Sequence, residues 1–93
     1  MTQKRAHIHN PKDNVALALV DLKPGDVVQV DKGDKKVSVT IKQAVPFGHK
    51  FALEPIKSGG DVIKYGGFIG KATKDIAEGE HVHIHNIKGV KYT

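Results

Sequence analysis

The chain has 93 residues, 15 basic against 10 acidic side chains for a net charge of +5, and no cysteine. That length makes one domain, residues 1–93, with a single small core and little stability to spare, and the missing cysteines exclude disulfides, thiolate catalysis, zinc ribbons and iron–sulfur ligation. The longest uninterrupted apolar run, Val15–Val20, is too short to span a membrane, and no apolar leader follows the first charges, so a cytoplasmic location is expected.

Helix signals are nearly absent, and strand signals recur every eight to twelve residues. Ala6–Asn10 alternates His-Ile-His, and Val15–Val20 reads as a buried strand or a single helical turn. Lys23-Pro24-Gly25-Asp26 is a turn, because proline presets φ and glycine accepts positive φ. Val27–Val30 and Lys36–Ile41 flank Asp31-Lys32-Gly33-Asp34 as a hairpin, with Val37, Val39 and Ile41 at period two. Further strands are expected around Lys50–Glu54, Val62–Tyr65, Ile69–Lys74 and His81–Ile87. The fold class is all-β, barrel-like or clip-like, since so small a sheet must fold over on itself to bury a face.

One pattern occurs three times: Leu22-Lys-Pro-Gly-Asp-Val-Val, Ile56-Lys-Ser-Gly-Gly-Asp-Val-Ile and Ile76-Ala-Glu-Gly-Glu-His-Val. Each is an apolar anchor, a glycine turn, an acidic residue and a β-branched strand. The unequal spacing between copies excludes a solenoid.

Five of the six histidines fall in two sets, His7-Ile8-His9 and His81-Val82-His83-Ile84-His85. On a strand, His81, His83 and His85 share one face, where neutral imidazoles can grip a divalent ion. Equally, Val82 and Ile84 can face the core and leave the imidazoles on the wet side. A metal site needs further ligands, for which Asp13 and Glu80 are the nearest acids.

His49 and Lys50 follow the Pro46-Phe47-Gly48 bend where a loop enters a strand. A histidine beside a lysine suits an anion, with histidine as proton shuttle and lysine as point charge. Lys64 and Tyr65 precede a glycine pair that admits close backbone approach. Asp13-Asn14 before the apolar run reads as a cap or Asx turn.

Fourteen of the fifteen cations are lysines, Arg5 is the single arginine, and the aromatics are five. Nucleic-acid readers favour arginine forks and stacking aromatics, so no nucleic-acid partner is expected, whereas a small anionic ligand suits the charge.

Asp13-Asn14-Val15-Ala16, Gly48-His49-Lys50-Phe51-Ala52-Leu53, Val62-Ile63-Lys64-Tyr65-Gly66, Ile69-Gly70 and Gly79-Glu80-His81-Val82-His83-Ile84-His85-Asn86 occur in this order. Together they resemble the SAF domain of the altronate/galactarate dehydratase family, from about His7 to Ile87. The opening His7–Asn14 departs from the long members in its spacing. The resemblance implies a β-clip fold and, because the chain stops at Thr93, the small subunit of a split lyase with a separate large catalytic subunit. It implies a hydroxy-acid substrate and a divalent metal, iron(II) or similar, held mainly by the large subunit.

Carried onto this chain, the resemblance makes His49 catalytic. It makes Lys50, Lys64, Tyr65, Asp13 and Asn14 substrate-binding, and His83, His85, His81 and His9 metal ligands. The leading expectation is a hydro-lyase acting on a sugar acid such as altronate or galactarate. The alternatives are a sulfo-lyase acting on (2R)-3-sulfolactate and a free-standing β-clip binding module. Self-association of the isolated chain is left open.

Overall fold

A computed structural model describes residues 5–89. Their regular structure is strand alone: β1 (Ala6–His7), β2 (Val15–Ala18), β3 (Val27–Lys32), β4 (Lys35–Thr40), β5 (Lys50–Ala52), β6 (Asp61–Lys64), β7 (Gly67–Ala72), β8 (His81–Val82) and β9 (Ile87–Gly89). They form a four-stranded sheet in the order β1-β2-β5-β8, a β3-β4 hairpin and a three-stranded β6-β7-β9 sheet, all antiparallel. The small all-β domain expected from the glycine-punctuated sequence is what forms. Among the described residues no helix is long and apolar enough to cross a membrane.

The run Val15–Val20 becomes strand β2 because the four-stranded sheet is covered on both faces. Ala16, Ala18 and Phe51 pack into one core with Leu22, Val28, Val30, Val39 and Ile41 of the hairpin side. Val15, Ala52 and Val82 point the other way, into a second core with Val62, Ala72, Ile76 and Ile87. A strand buried on two faces has no polar alternate positions, so its sequence shows a continuous apolar run.

The turn device occurs four times, once more than the sequence shows. The additional copy is Val45-Pro46-Phe47-Gly48-His49, and in each copy the residue after the glycine donates its N–H to the carbonyl three residues earlier, at 2.7–3.0 Å. Each turn is also pinned to a strand end by a reciprocal pair of backbone bonds. Gly48 N–H donates to Ala18 O and Ala18 N–H to His49 O (2.9 and 2.8 Å), and Gly79 and Glu80 do the same with Ala52 (2.9 and 3.0 Å). Gly25 and Asp26 pair likewise with Ile41, and Gly59 and Gly60 with Ala72. The anchors bridge in two pairs, Leu22 with Val45 and Ile56 with Ile76. In each pair an aspartate just before one anchor accepts an N–H from the partner turn, Asp21 from Phe47 and Asp75 from Ser58, both at 2.8 Å. One rigid device thus sets the starts of β3, β5, β6 and β8, and two of those starts carry His49 and His81.

The strand expected over His81–Ile87 stops at Val82. Asn86 is the reason. Its side chain accepts the His83 N–H at 2.9 Å and donates to His81 O at 2.7 Å, closing residues 83–86 into a turn before β9 begins. Ile84, an inward residue on a continuous strand, is instead 80% exposed.

Candidate functional site

The site begins with a register. β5 and β8 pair antiparallel with Lys50 opposite Val82 and Phe51 opposite His81, which sets His49 opposite His83 one step further along. The imidazoles of His49 and His83 stack with centroids 4.1 Å apart. His49 Nδ1 and His81 Nε2 lie 2.8 Å apart, a hydrogen bond in which one ring donates and the other accepts. One nitrogen from each of His49, His81 and His83 falls within 4.8 Å of the other two, and all three rings are half-buried. His85 lies beside this group, its ring 5.0 Å from that of His81. His9 sits elsewhere, against Tyr65 at 4.1 Å and His7 at 4.8 Å.

Burial and crowding favour the neutral form of His81 and His83. His81 is pushed down to about 4, first by burial and then by His85, His49, His83 and Lys50. His83 is lowered by the same means, burial first and then His49, Lys50 and His85. Lys50, half-buried, is lowered by burial and by the neighbouring Lys64 ammonium. Unprotonated nitrogen is what a borderline divalent ion binds. The donor set of three imidazoles therefore fits iron(II) or a similar ion, with ligation needing one ring of the His49–His81 pair to give up its shared proton. Among the described residues no carboxylate joins the group. Glu80, the nearest acid in sequence, instead accepts the N–H of Ala77.

Next to this cluster opens a cavity of about 320 Å³ whose polar lining is Lys50, Lys64, Tyr65 and His83, over an apolar wall of Ile69, Ile84 and Ile87. Lysines 50 and 64 thus face one space from different sheets. Lys64 Nζ stands 4.8 Å from the Tyr65 ring centroid, a cation–π contact. Every polar group of the lining is a donor or a cation except where neutral imidazole or phenol oxygen accepts, so the cavity suits a small anion.

Asp13 and Asn14 are not among the residues that line the cavity. Asp13 is fully buried, with both carboxylate oxygens taken by backbone N–H groups. Asn14 donates to Asp61 O and accepts Ile63 N–H, both at 2.8 Å, fastening the start of β2 to β6. The structure thus brings together His49, Lys50, Lys64, Tyr65, His81 and His83, leaves His85 and His9 at the edges, and uses Asp13 and Asn14 as the joint between sheets. Ile69, Ile84 and Ile87 were missed in the sequence because an apolar residue carries no chemical signal until a cavity forms around it.

Residues 4–90 match the altronate/galactarate dehydratase SAF domain. The chain belongs to that family. It is 54% identical over 76 residues to an altronate dehydratase of Escherichia coli, a match covering 82% of this chain and 14% of that protein. A Bacillus subtilis altronate dehydratase is 43% identical over 77 residues, with 83% and 15% covered. This SAF chain therefore spans about one seventh of the length of those relatives. Against (2R)-sulfolactate sulfo-lyase subunit alpha of Chromohalobacter salexigens it is 34% identical over 84 residues, covering 87% of this chain and 89% of that subunit. The relatives are lyases or lyase subunits, and the SAF chain is a lyase-associated small domain. The resemblance read from the Asp13-Asn14, Gly48–Leu53 and Gly79–Asn86 segments is confirmed.

Proposed function

We propose that this SAF chain is the non-autonomous small subunit of a hydro-lyase that dehydrates a sugar acid such as altronate or galactarate, working in the cytoplasm with a separate large catalytic subunit. The observation that carries the reading is the convergence of Lys50, Lys64, Tyr65 and His83 on one cavity beside the His49–His81 pair. A 2-hydroxy carboxylate loses the proton alpha to its carboxylate and the β-hydroxyl, leaving an enol that tautomerises to a 2-keto acid. Lys50 and Lys64 bind the carboxylate as point charges. Tyr65 bounds its far side, and the isoleucine wall keeps bulk water off the reacting carbons. His49, bonded to His81 through Nδ1, is placed to hold or pass a proton at its other ring nitrogen. A divalent ion such as iron(II), taken up by His49, His81 and His83 or shared with the large subunit, would supply Lewis-acid stabilisation of the charge that builds on the substrate.

A second reading has its own support: the match to two (2R)-sulfolactate sulfo-lyase alpha subunits takes in nearly all of each of them, 89% and 90%. In that case sulfite leaves in place of hydroxide and the same cavity holds (2R)-3-sulfolactate. The assembled two-subunit enzyme, assayed on altronate, galactarate and (2R)-3-sulfolactate, separates the two. Water elimination from a sugar acid is the expected outcome. Sulfite release alone would replace it with the second reading, and turnover of none would remove both.

A further inference from the structure

Asp13 is the one charged side chain that is fully buried among the described residues, and none of their ion pairs includes it. Its Oδ2 accepts the N–H groups of His9 and Asn10, at 3.2 and 3.3 Å. Its Oδ1 accepts the Gly66 N–H at 2.7 Å, from 53 residues away. Fully buried and bonded at both oxygens, this carboxylate is closed to a substrate. It ties the loop before β2 to the β6–β7 turn.

That turn is unusual in one respect. Tyr65 has φ of +57° and is the single non-glycine residue with positive φ among the described residues, followed by Gly66 at +73°. Two consecutive left-handed residues make the tight hairpin turn that asparagine and glycine ordinarily fill. A tyrosine there is strained, and strain of this kind persists only where the surroundings hold it. Tyr65 is 62% exposed, and its ring lies tilted against His9 at 4.1 Å, beside the Lys64 ammonium, and lines the cavity. The fold therefore keeps a residue ill suited to its backbone where its side chain faces the anion-binding space.

We infer that Asp13 is a positioning residue: its buried carboxylate, through the Gly66 N–H, holds Tyr65 in the left-handed conformation that makes the phenol ring a wall of the cavity. What the cavity binds rests on the function proposed above; the link between residues 13 and 65 does not.

The test is a double-mutant cycle on the intact chain, with Asp13→Ala and Tyr65→Gly made singly and together and unfolding followed in urea. In Asp13→Ala the released Tyr65 relaxes and its strain offsets part of the lost hydrogen bonds, whereas Tyr65→Gly has no strain to release. The Asp13→Ala loss in the folding equilibrium should therefore be about 5- to 30-fold larger in the glycine background. An equal loss in both backgrounds would overturn the inference. Should Asp13→Ala fail to fold, Asp13→Asn, which retains one acceptor oxygen, takes its place in the cycle under the same criterion. The second measurement is NMR titration of wild type and Tyr65→Gly with altronate, galactarate and (2R)-3-sulfolactate. The glycine variant should be at least as stable yet bind about tenfold more weakly, and undiminished affinity would remove Tyr65 from the cavity's working wall. Wild-type chain that by itself binds none of the three leaves the substrate to the assay of the assembled enzyme and residues 13 and 65 to the unfolding cycle, which decides the inference.

Discussion

His49 and His81 come from turns of the same design, and their rings meet at 2.8 Å between Nδ1 and Nε2. Each histidine sits one or two residues beyond a left-handed glycine, Gly48 or Gly79, that is pinned to a strand end by backbone bonds. The pair is therefore placed by main-chain geometry and not by flexible side-chain packing.

Replacing His49 by alanine should leave the domain folded and able to assemble, because the turn is held by Gly48 and Ala18. Turnover of the assembled lyase should fall by about a hundredfold or more, the usual share of a positioned proton-transfer group. Full activity in this variant would take His49 out of the chemistry.

Lys50 and Lys64 should show in KM before kcat. Truncating Lys50 removes a charge-assisted contact to the carboxylate, a loss of about ten- to a hundredfold in apparent affinity. Steady-state kinetics of Lys50→Ala against wild type checks this, and an unchanged KM would place the carboxylate elsewhere.

Acid should weaken the domain through His81. Its ordinary value is 6.5 and the folded site pushes it down to about 4, burial being the main cause, with the neighbouring His85, His49, His83 and Lys50 adding to it. The unfolded chain thus takes up this proton at higher pH than the folded one. The contribution is fully retained above the ordinary value of 6.5 and is lost as pH falls from there to about 4. His81→Gln should flatten the decline in urea midpoint over that window, and an NMR titration should find the wild-type ring still neutral well below its ordinary value.

Two glycine substitutions should part company. Gly25 and Gly79 both have positive φ, but a Cβ at Gly25 meets open space while one at Gly79 runs into the Thr40 carbonyl. Gly25→Ala should cost about 1–2 kcal/mol of backbone strain. Gly79→Ala should cost clearly more, and equal melting temperatures for the two variants would contradict the close approach between the hairpin and the turn that carries His81.

The all-β class and most strands were legible because alternation and glycine turns are local signals. Val37 and Val39 on β4 are an example, spaced two apart and both turned toward the hairpin-side core. The fourth turn was hidden because His49 and Lys50 follow Gly48, where each of the other copies places an acid within two residues of its left-handed glycine and a valine within three. The break after Val82 was hidden for another reason: alternating His-Val-His-Ile-His reads as strand, and one buried amide, Asn86, overrides it. The site itself depends on pairings between distant segments. Nothing local to residues 49 and 83 says that β5 and β8 pair in the register that stacks them. Asp13 was legible as a cap, but the second loop it holds, at Gly66, lies 53 residues away.

On the function proposed above, this chain completes a lyase whose other subunit carries most of the chemistry. Native mass measurement of the tagged chain, purified under mild conditions from its own cells and assayed on the three hydroxy acids, tests it most directly. A stoichiometric complex with one much larger chain, active on one of the three acids and silenced by His49→Ala, is the expected result. A lone 10.1 kDa species with no partner and no turnover would contradict it.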